Sequence, residues 1–134
     1  MRVVAIDHVV LPVDDVEAAL AFYCGVLGME GVRVDLWRAG RVPFASVRAG
    51  GALLDLMAGG SAPPLDHVCL RVEGPIEQVV AALEAAGVAV AKGPVRRYGA
   101  QGDGMSVYVR DPAGNAIELK CDGACPGSWP DGGS

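Results

Sequence analysis

The only two histidines of the chain, His8 and His67, stand in two copies of one phrase. Ile6-Asp7-His8-Val9-Val10-Leu11-Pro12-Val13 returns 59 positions later as Leu65-Asp66-His67-Val68-Cys69-Leu70-Arg71-Val72. Late in each half comes an acid between apolar residues: Leu54-Asp55-Leu56 and Ile117-Glu118-Leu119. A carboxylate buried without a partner is costly. A divalent cation would satisfy two imidazoles and one or two carboxylates together. The alternative is that each acid hydrogen-bonds a histidine and no metal binds. The donors are nitrogen and oxygen, with no thiolate, which suits one ion of Fe, Mn, Ni, Co or Zn. With three or four protein ligands, such an ion keeps positions for substrate oxygens and acts as a Lewis acid, or it activates oxygen.

Strands must position these side chains. An alternating stretch at Val3–Val13 predicts a strand, and Asp14 or Asp15 then caps a helix with apolar positions Val16, Ala19, Leu20, Tyr23 and Leu27, ending at Gly28. Strands are expected at Val32–Arg38, Val42–Arg48 and Ala52–Ala58. The seam is Gly59-Gly60-Ser61-Ala62-Pro63-Pro64. The second half repeats the order. A strand spans Leu65–Glu73, and a helix follows Pro75 with a stripe of Ile76, Val79, Val80 and Leu83, closed by Gly87. Strands follow near Val88–Ala91, Met105–Arg110 and Ala116–Lys120, with a turn at Asp111-Pro112-Ala113-Gly114 and a long polar loop at Arg96–Gly104. The reading is α+β: a βαβββ module at 1–60, a second at 61–120, and a flexible tail at 121–134, together one domain.

Side chains alternate faces along a strand. His8, His67, Asp55 and Glu118 then share the concave side of a curved sheet, and Leu54, Leu56, Ile117 and Leu119 pack under helices. On Met105–Arg110 the polar phase is Ser106, Tyr108 and Arg110. Tyr108 can donate a proton or a hydrogen bond to a metal-bound oxygen, or simply pack at the wall. Arg97 and Arg110 are candidates for an anionic substrate group; a solvated loop arginine is the plainer reading of Arg96 and Arg97. Trp37 and Phe44 suit an apolar wall or the core.

A hydrophobic content of 51% supports a packed core. A net charge of −5 speaks against nucleic acid as a partner. Acids or glycines interrupt every apolar run before membrane-spanning length, and the first residues lack a signal-peptide shape, so a soluble cytoplasmic protein is expected. Cys24 and Cys69 read as reduced core thiols. Cys121 and Cys125 open the Gly/Pro-rich tail, and their spacing fits no disulfide framework.

At Asp7-His8-Val9-x-Leu11-x-Val13, Ala21-Phe22-Tyr23, Val26-Leu27-Gly28-Met29, Asp66-His67-Val68 and Tyr108-x-x-Asp111-Pro112-x-Gly114-x-x-x-Glu118, the chain resembles the vicinal oxygen chelate superfamily. That superfamily groups glyoxalases, extradiol dioxygenases, fosfomycin-resistance enzymes and bleomycin-resistance proteins. The resemblance spans about Ile6–Lys120. It implies two βαβββ modules forming an eight-stranded cup around one metal, often in a homodimer, with a small-molecule substrate. By position His8, His67 and Glu118 match the family's ligands, and Asp55 falls where glyoxalase-like members place a fourth. Glu118 and Tyr108 are the candidate catalytic residues. The extradiol pattern also wants a histidine where Gly99, Ala100 and Gln101 stand, which favours isomerase, lyase or epoxide-opening chemistry over ring cleavage. The implied function is a metal-dependent enzyme on a small oxygen-rich metabolite. The alternatives are a non-catalytic drug- or metabolite-binding protein and a fosfomycin-type thiol transferase.

Overall fold

The computed structural model describes residues 2, 5–6, 8–59, 65, 67–99 and 102–122. Part of the stretch Val3–Val13, most of the seam, and residues 123–134 of the expected tail, Cys125 among them, lie outside the described residues. The elements run β1 (His8–Val13), α1 (Val16–Leu20) with a π-helical continuation at Ala21–Val26, β2 (Glu30–Val32), α2 (Val34–Arg38), β3 (Ala45–Ala49) and β4 (Ala52–Ala58). Then come β5 (Val68–Val72), α3 (Ile76–Ala85), β6 (Lys92–Gly99), β7 (Gly102–Arg110) and β8 (Ala116–Asp122). The chain is α+β, with βαβββ order in each half and α2 as an insertion in the first.

It divides into two compact units: Met1–Leu65 with Asp111–Asn115, and Asp66–Arg110 with Ala116–Ser134. Each holds a four-stranded sheet of equivalent order, β1-β4-β3-β2 and β5-β8-β7-β6. In both, an antiparallel meander receives the opening strand in parallel beside its last strand. The repeat in the sequence is thus a repeat in register. Asp55 lies beside Val10 and Glu118 beside Cys69, so each acid neighbours the residue two beyond its histidine.

Parity holds where it positions the core. In the first unit Leu11, Val13, Leu54 and Leu56 are buried beside Val16, Ala19 and Leu20 of α1; in the second, Val107, Val109, Ile117 and Leu119 are buried with Ile76 and Leu83 of α3. Each fully buried aliphatic side chain contributes about 1.5–3 kcal/mol relative to exposure. Asp15 caps α1, accepting from the Ala18 amide at 3.0 Å. Helix α3 closes at Gly87, with the Val88 amide returning to the Leu83 carbonyl at 2.9 Å.

Several expected elements are corrected. Val32–Arg38 is not one strand. After β2 the chain turns through Arg33, whose φ is 60°, into α2. Alternation picks out Val32, Val34 and Leu36, but the helix half-buries Val34 and Trp37 and leaves Leu36 exposed. Val88–Ala91 is not a strand: the Val88 amide caps α3, and the Ala91 amide donates to the Tyr108 carbonyl at 2.7 Å, which leads into β6. The polar stretch expected as the loop Arg96–Gly104 forms arms of the β6–β7 hairpin, pairing Arg97 with Gly104. Its polarity reflects a polar sheet face rather than a loop. Among the cysteines, Cys69 is exposed and Cys24 half-buried, since Cys69 sits on the polar side of β5; Cys121 belongs to β8 and is buried. No helix among the described residues is long and apolar enough to cross a membrane.

Candidate active site

The second unit gathers a polar group on one face of its sheet. Parity along β8 puts Glu118 and Lys120 on that face, and parity along β7 adds Ser106 and Tyr108. The hairpin register adds Arg97, opposite Gly104. A side chain at position 104 would meet the Lys120 ammonium and the Cys121 carbonyl, so only glycine fits beneath them. Ser106, Glu118 and Lys120 are buried despite their polarity.

Glu118 is the hub. Its Oε1 accepts from the Tyr108 hydroxyl at 3.0 Å and lies 3.2 Å from His67 Nε2. Its Oε2 accepts from the Ser106 hydroxyl at 2.7 Å. Arg97 Nε donates to the Tyr108 oxygen at 2.9 Å, and its guanidinium carbon lies 5.5 Å from the ring centroid. Arg97, Tyr108 and Glu118 thus form a relay of donors in one direction, in which each bond polarises the next. Burial holds the Tyr108 hydroxyl above its ordinary range; the Arg97 bond works against this and Glu118 adds to it. Tyr108 is therefore a neutral phenol and a donor at neutral pH. The His67 ring meets the Tyr108 ring edge-on, centroids 5.9 Å apart.

His67 and Glu118 fit a cation. Two ligands at right angles on an ion with bonds of about 2.1 Å lie about 3.0 Å apart, close to the observed Nε2–Oε1 separation of 3.2 Å. A direct hydrogen bond fits that spacing as well. The first unit holds the counterparts. Asp55 is half-buried on β4 and accepts from the Ser46 hydroxyl at 2.6 Å, while His8 opens β1 and is exposed. Among the described residues, no three of His, Cys, Asp and Glu are grouped closely enough to hold a metal ion. Arg110 ends β7 opposite Ala116 and is exposed. Arg97, expected on a solvated loop, is instead half-buried in β6 and engaged with Tyr108. Ser106 has a larger part than its sequence position suggested; its only signal was falling in phase with Tyr108.

A second polar cluster explains the Asp111-Pro112-Ala113-Gly114 segment. Asp111 Oδ1 accepts from the amides of Ala113 and Asn115, at 3.0 and 2.8 Å. Its Oδ2 accepts from the Tyr23 hydroxyl at 2.9 Å and from Asn115 Nδ2 at 2.8 Å. Asn115 Nδ2 also donates to the Pro12 carbonyl at 2.9 Å. Tyr23, Asp111 and Asn115 are all buried. This clasp holds architecture in the first unit, so the Tyr108-to-Glu118 motif carries a structural half as well as a chemical one.

Comparison with known proteins places the chain among relatives of known fold. The chain is 35% identical over 117 residues to virulence protein STM3117 of Salmonella typhimurium, covering 85% of this chain and 81% of that one. It is 32% identical over 123 residues to the glyoxalase domain-containing protein RDO1 of Mycosarcoma maydis, covering 89% and 69%. The crystal structure of the Salmonella protein superposes with a TM-score of 0.73, covering 90% of this chain and 98% of that one. A lactoylglutathione lyase from Agrobacterium tumefaciens superposes at 0.62 with 25% identity, covering 87% and 92%. The Glyoxalase/Bleomycin resistance protein/Dioxygenase superfamily profile matches residues 5–119, and the chain belongs to that superfamily.

Proposed function

We propose that the chain is a divalent-metal-dependent enzyme acting on a small oxygen-rich metabolite, with His8, His67 and Glu118 as metal ligands. The observation that carries this reading is the buried Glu118 carboxylate, aligned by two hydroxyls, with His67 Nε2 at 3.2 Å from Oε1. The repeat supports His8 as the second imidazole, because its strand stands in the same register to Asp55 as that of His67 to Glu118. Asp55 is the candidate fourth donor. It is one methylene shorter than Glu118 and already held by Ser46, which favours an indirect role. A bound ion would supply Lewis-acid stabilisation of an oxyanion. Tyr108, neutral and oriented by Arg97, would turn its one hydroxyl hydrogen from Glu118 to a bound substrate oxygen, donating a hydrogen bond or a proton there. Arg97 therefore acts through Tyr108, and Arg110 is the candidate for an anionic substrate group. Similarity to a lactoylglutathione lyase supports isomerase or lyase chemistry.

The test is metal analysis of protein purified without a histidine tag, followed by calorimetric titration of Co(II), Ni(II), Mn(II) and Zn(II) into wild type and His67→Ala. We expect one ion per chain, and binding weakened at least about 100-fold by the substitution. If wild type takes no ion, or if His67→Ala binds equally well, the metal reading is wrong. The second reading, a metal-free protein that binds a drug or metabolite, draws on the direct His67–Glu118 contact, which satisfies both groups with no ion. Absence of metal binding together with saturable uptake of a small apolar ligand would establish it.

A further inference from the structure

We propose that Ser106 is a positioning residue that fixes the plane of the Glu118 carboxylate, so that one of its oxygens is held facing His67. The inference rests on the reading of His67 and Glu118 as cation ligands. Ser106 is fully buried, between Met105 and Val107, which are buried as well. A hydroxyl there is costly unless it is bonded, and its bond goes to Glu118 Oε2 at 2.7 Å, a short distance suited to an ionised acceptor. Tyr108 donates to the other oxygen. The carboxylate is thus held at both ends, and Oε1 is the atom that approaches the His67 imidazole. Without the serine, the Glu118 carboxylate can rotate about its last torsion, which is broad and roughly two-fold.

The first unit shows that the hydroxyl is more than an inherited remnant of the repeat. There Ser46 also bonds the acid, Asp55, but from the position directly across the ladder. In the second unit the position directly across from Glu118 is Tyr108, and Ser106 pairs across with Lys120. The serine therefore comes from a different position in each half. The longer Glu118 reaches it diagonally, which leaves the direct position to the phenol.

The experiment is Co(II) titration of wild type, Ser106→Ala, Ser106→Thr and Ser106→Val, read by calorimetry and by the visible absorption of the bound ion. Folding is checked by circular dichroism. We expect Ser106→Ala to bind Co(II) about 10–100-fold more weakly with a shifted absorption band, and Ser106→Thr to stay within about threefold of wild type. Threonine and valine match in shape and differ only in the hydroxyl, so that pair decides the matter if the alanine variant does not fold. Loss in Ser106→Val with retention in Ser106→Thr supports the inference. Equal affinity and an unchanged band in the variants that lack the hydroxyl overturn it and leave the metal reading intact. If wild type binds no Co(II), the metal reading fails and the inference falls with it.

Discussion

Replacing Asp111 with alanine strands four donors around one buried point. Two are the backbone amides of Ala113 and Asn115, and two are the Tyr23 hydroxyl and Asn115 Nδ2. Asn115 Nδ2 keeps the Pro12 carbonyl, and the Ala113 amide lies in a part-buried turn where water can reach it. The uncompensated losses are then the Tyr23 hydroxyl and the Asn115 amide, both buried. At about 1–3 kcal/mol for each of the two orphaned groups, the substitution should cost about 2–6 kcal/mol, a large share of the ordinary 5–15 kcal/mol of a domain. Urea unfolding followed by tryptophan fluorescence measures it. With a slope of about 1.5 kcal/mol per molar, the midpoint should fall by about 1.3–4 M. Asp111→Asn keeps the two bonds on Oδ1 and loses part of the rest, so it should lie between. A double-mutant cycle with Tyr23→Phe should return a coupling of about 0.5–3 kcal/mol. A midpoint shift below about 0.5 M for Asp111→Ala, or independent effects of the two substitutions, would refute the reasoning.

Tyr23 adds a pH signature. Burial, then the charge and hydrogen bond of Asp111, hold its hydroxyl well above the ordinary tyrosine range. The fold favours the protonated form, so that contribution is complete below about pH 10, the unfolded value. It is lost as pH rises beyond that, by up to about 1.4 kcal/mol per unit. The stability gap between wild type and Tyr23→Phe should therefore narrow from about pH 10 to 11.5; a constant gap over that span counts against the assignment. Gly93→Ala should lower stability by at least about 2 kcal/mol in thermal unfolding, because φ there is +99° and a Cβ would stand 2.5 Å from the Ser106 carbonyl. An unchanged melting temperature would show that the backbone relaxes without cost. Asp15→Ala should cost about 1 kcal/mol through loss of the α1 cap, and a change under about 0.3 kcal/mol would mean the cap is replaced by water.

The duplicated phrase, the α+β class and the two-module order were legible in the sequence, because each rests on a local period. Alternation along Val9–Val13, Leu53–Met57 and Ala116–Lys120 reports which side chains face a core, and the helical stripe at Ile76, Val79, Val80 and Leu83 reports a crossover helix. His67, Glu118 and Tyr108 were singled out on the same grounds, and they meet at Glu118. Short or polar segments were less legible. Over the five residues of α2, Val34, Leu36 and Trp37 offer apolar positions to either period, alternation taking Val34 with Leu36 and the helix Val34 with Trp37, so packing of Trp37 and Val34 settles the conformation. The arms of the β6–β7 hairpin read as a loop because their residues are polar or glycine with no apolar alternation, and only their pairing across the hairpin makes them strands.

The sequence by itself determined the repeat, the faces of the strands and the residue types able to bind a cation, since all three follow from covalent order and side-chain alternation. Only the tertiary structure decided the bonding within the site. Hydrogen bonds between residues 10 to 12 positions apart depend on register, and register is set by the whole sheet. Through it Arg97 turned from a loop cation into the partner of Tyr108, and Ser106 became the second anchor of Glu118, while packing of a helical segment against a turn 88 positions later made Asp111 the buried acceptor of Tyr23.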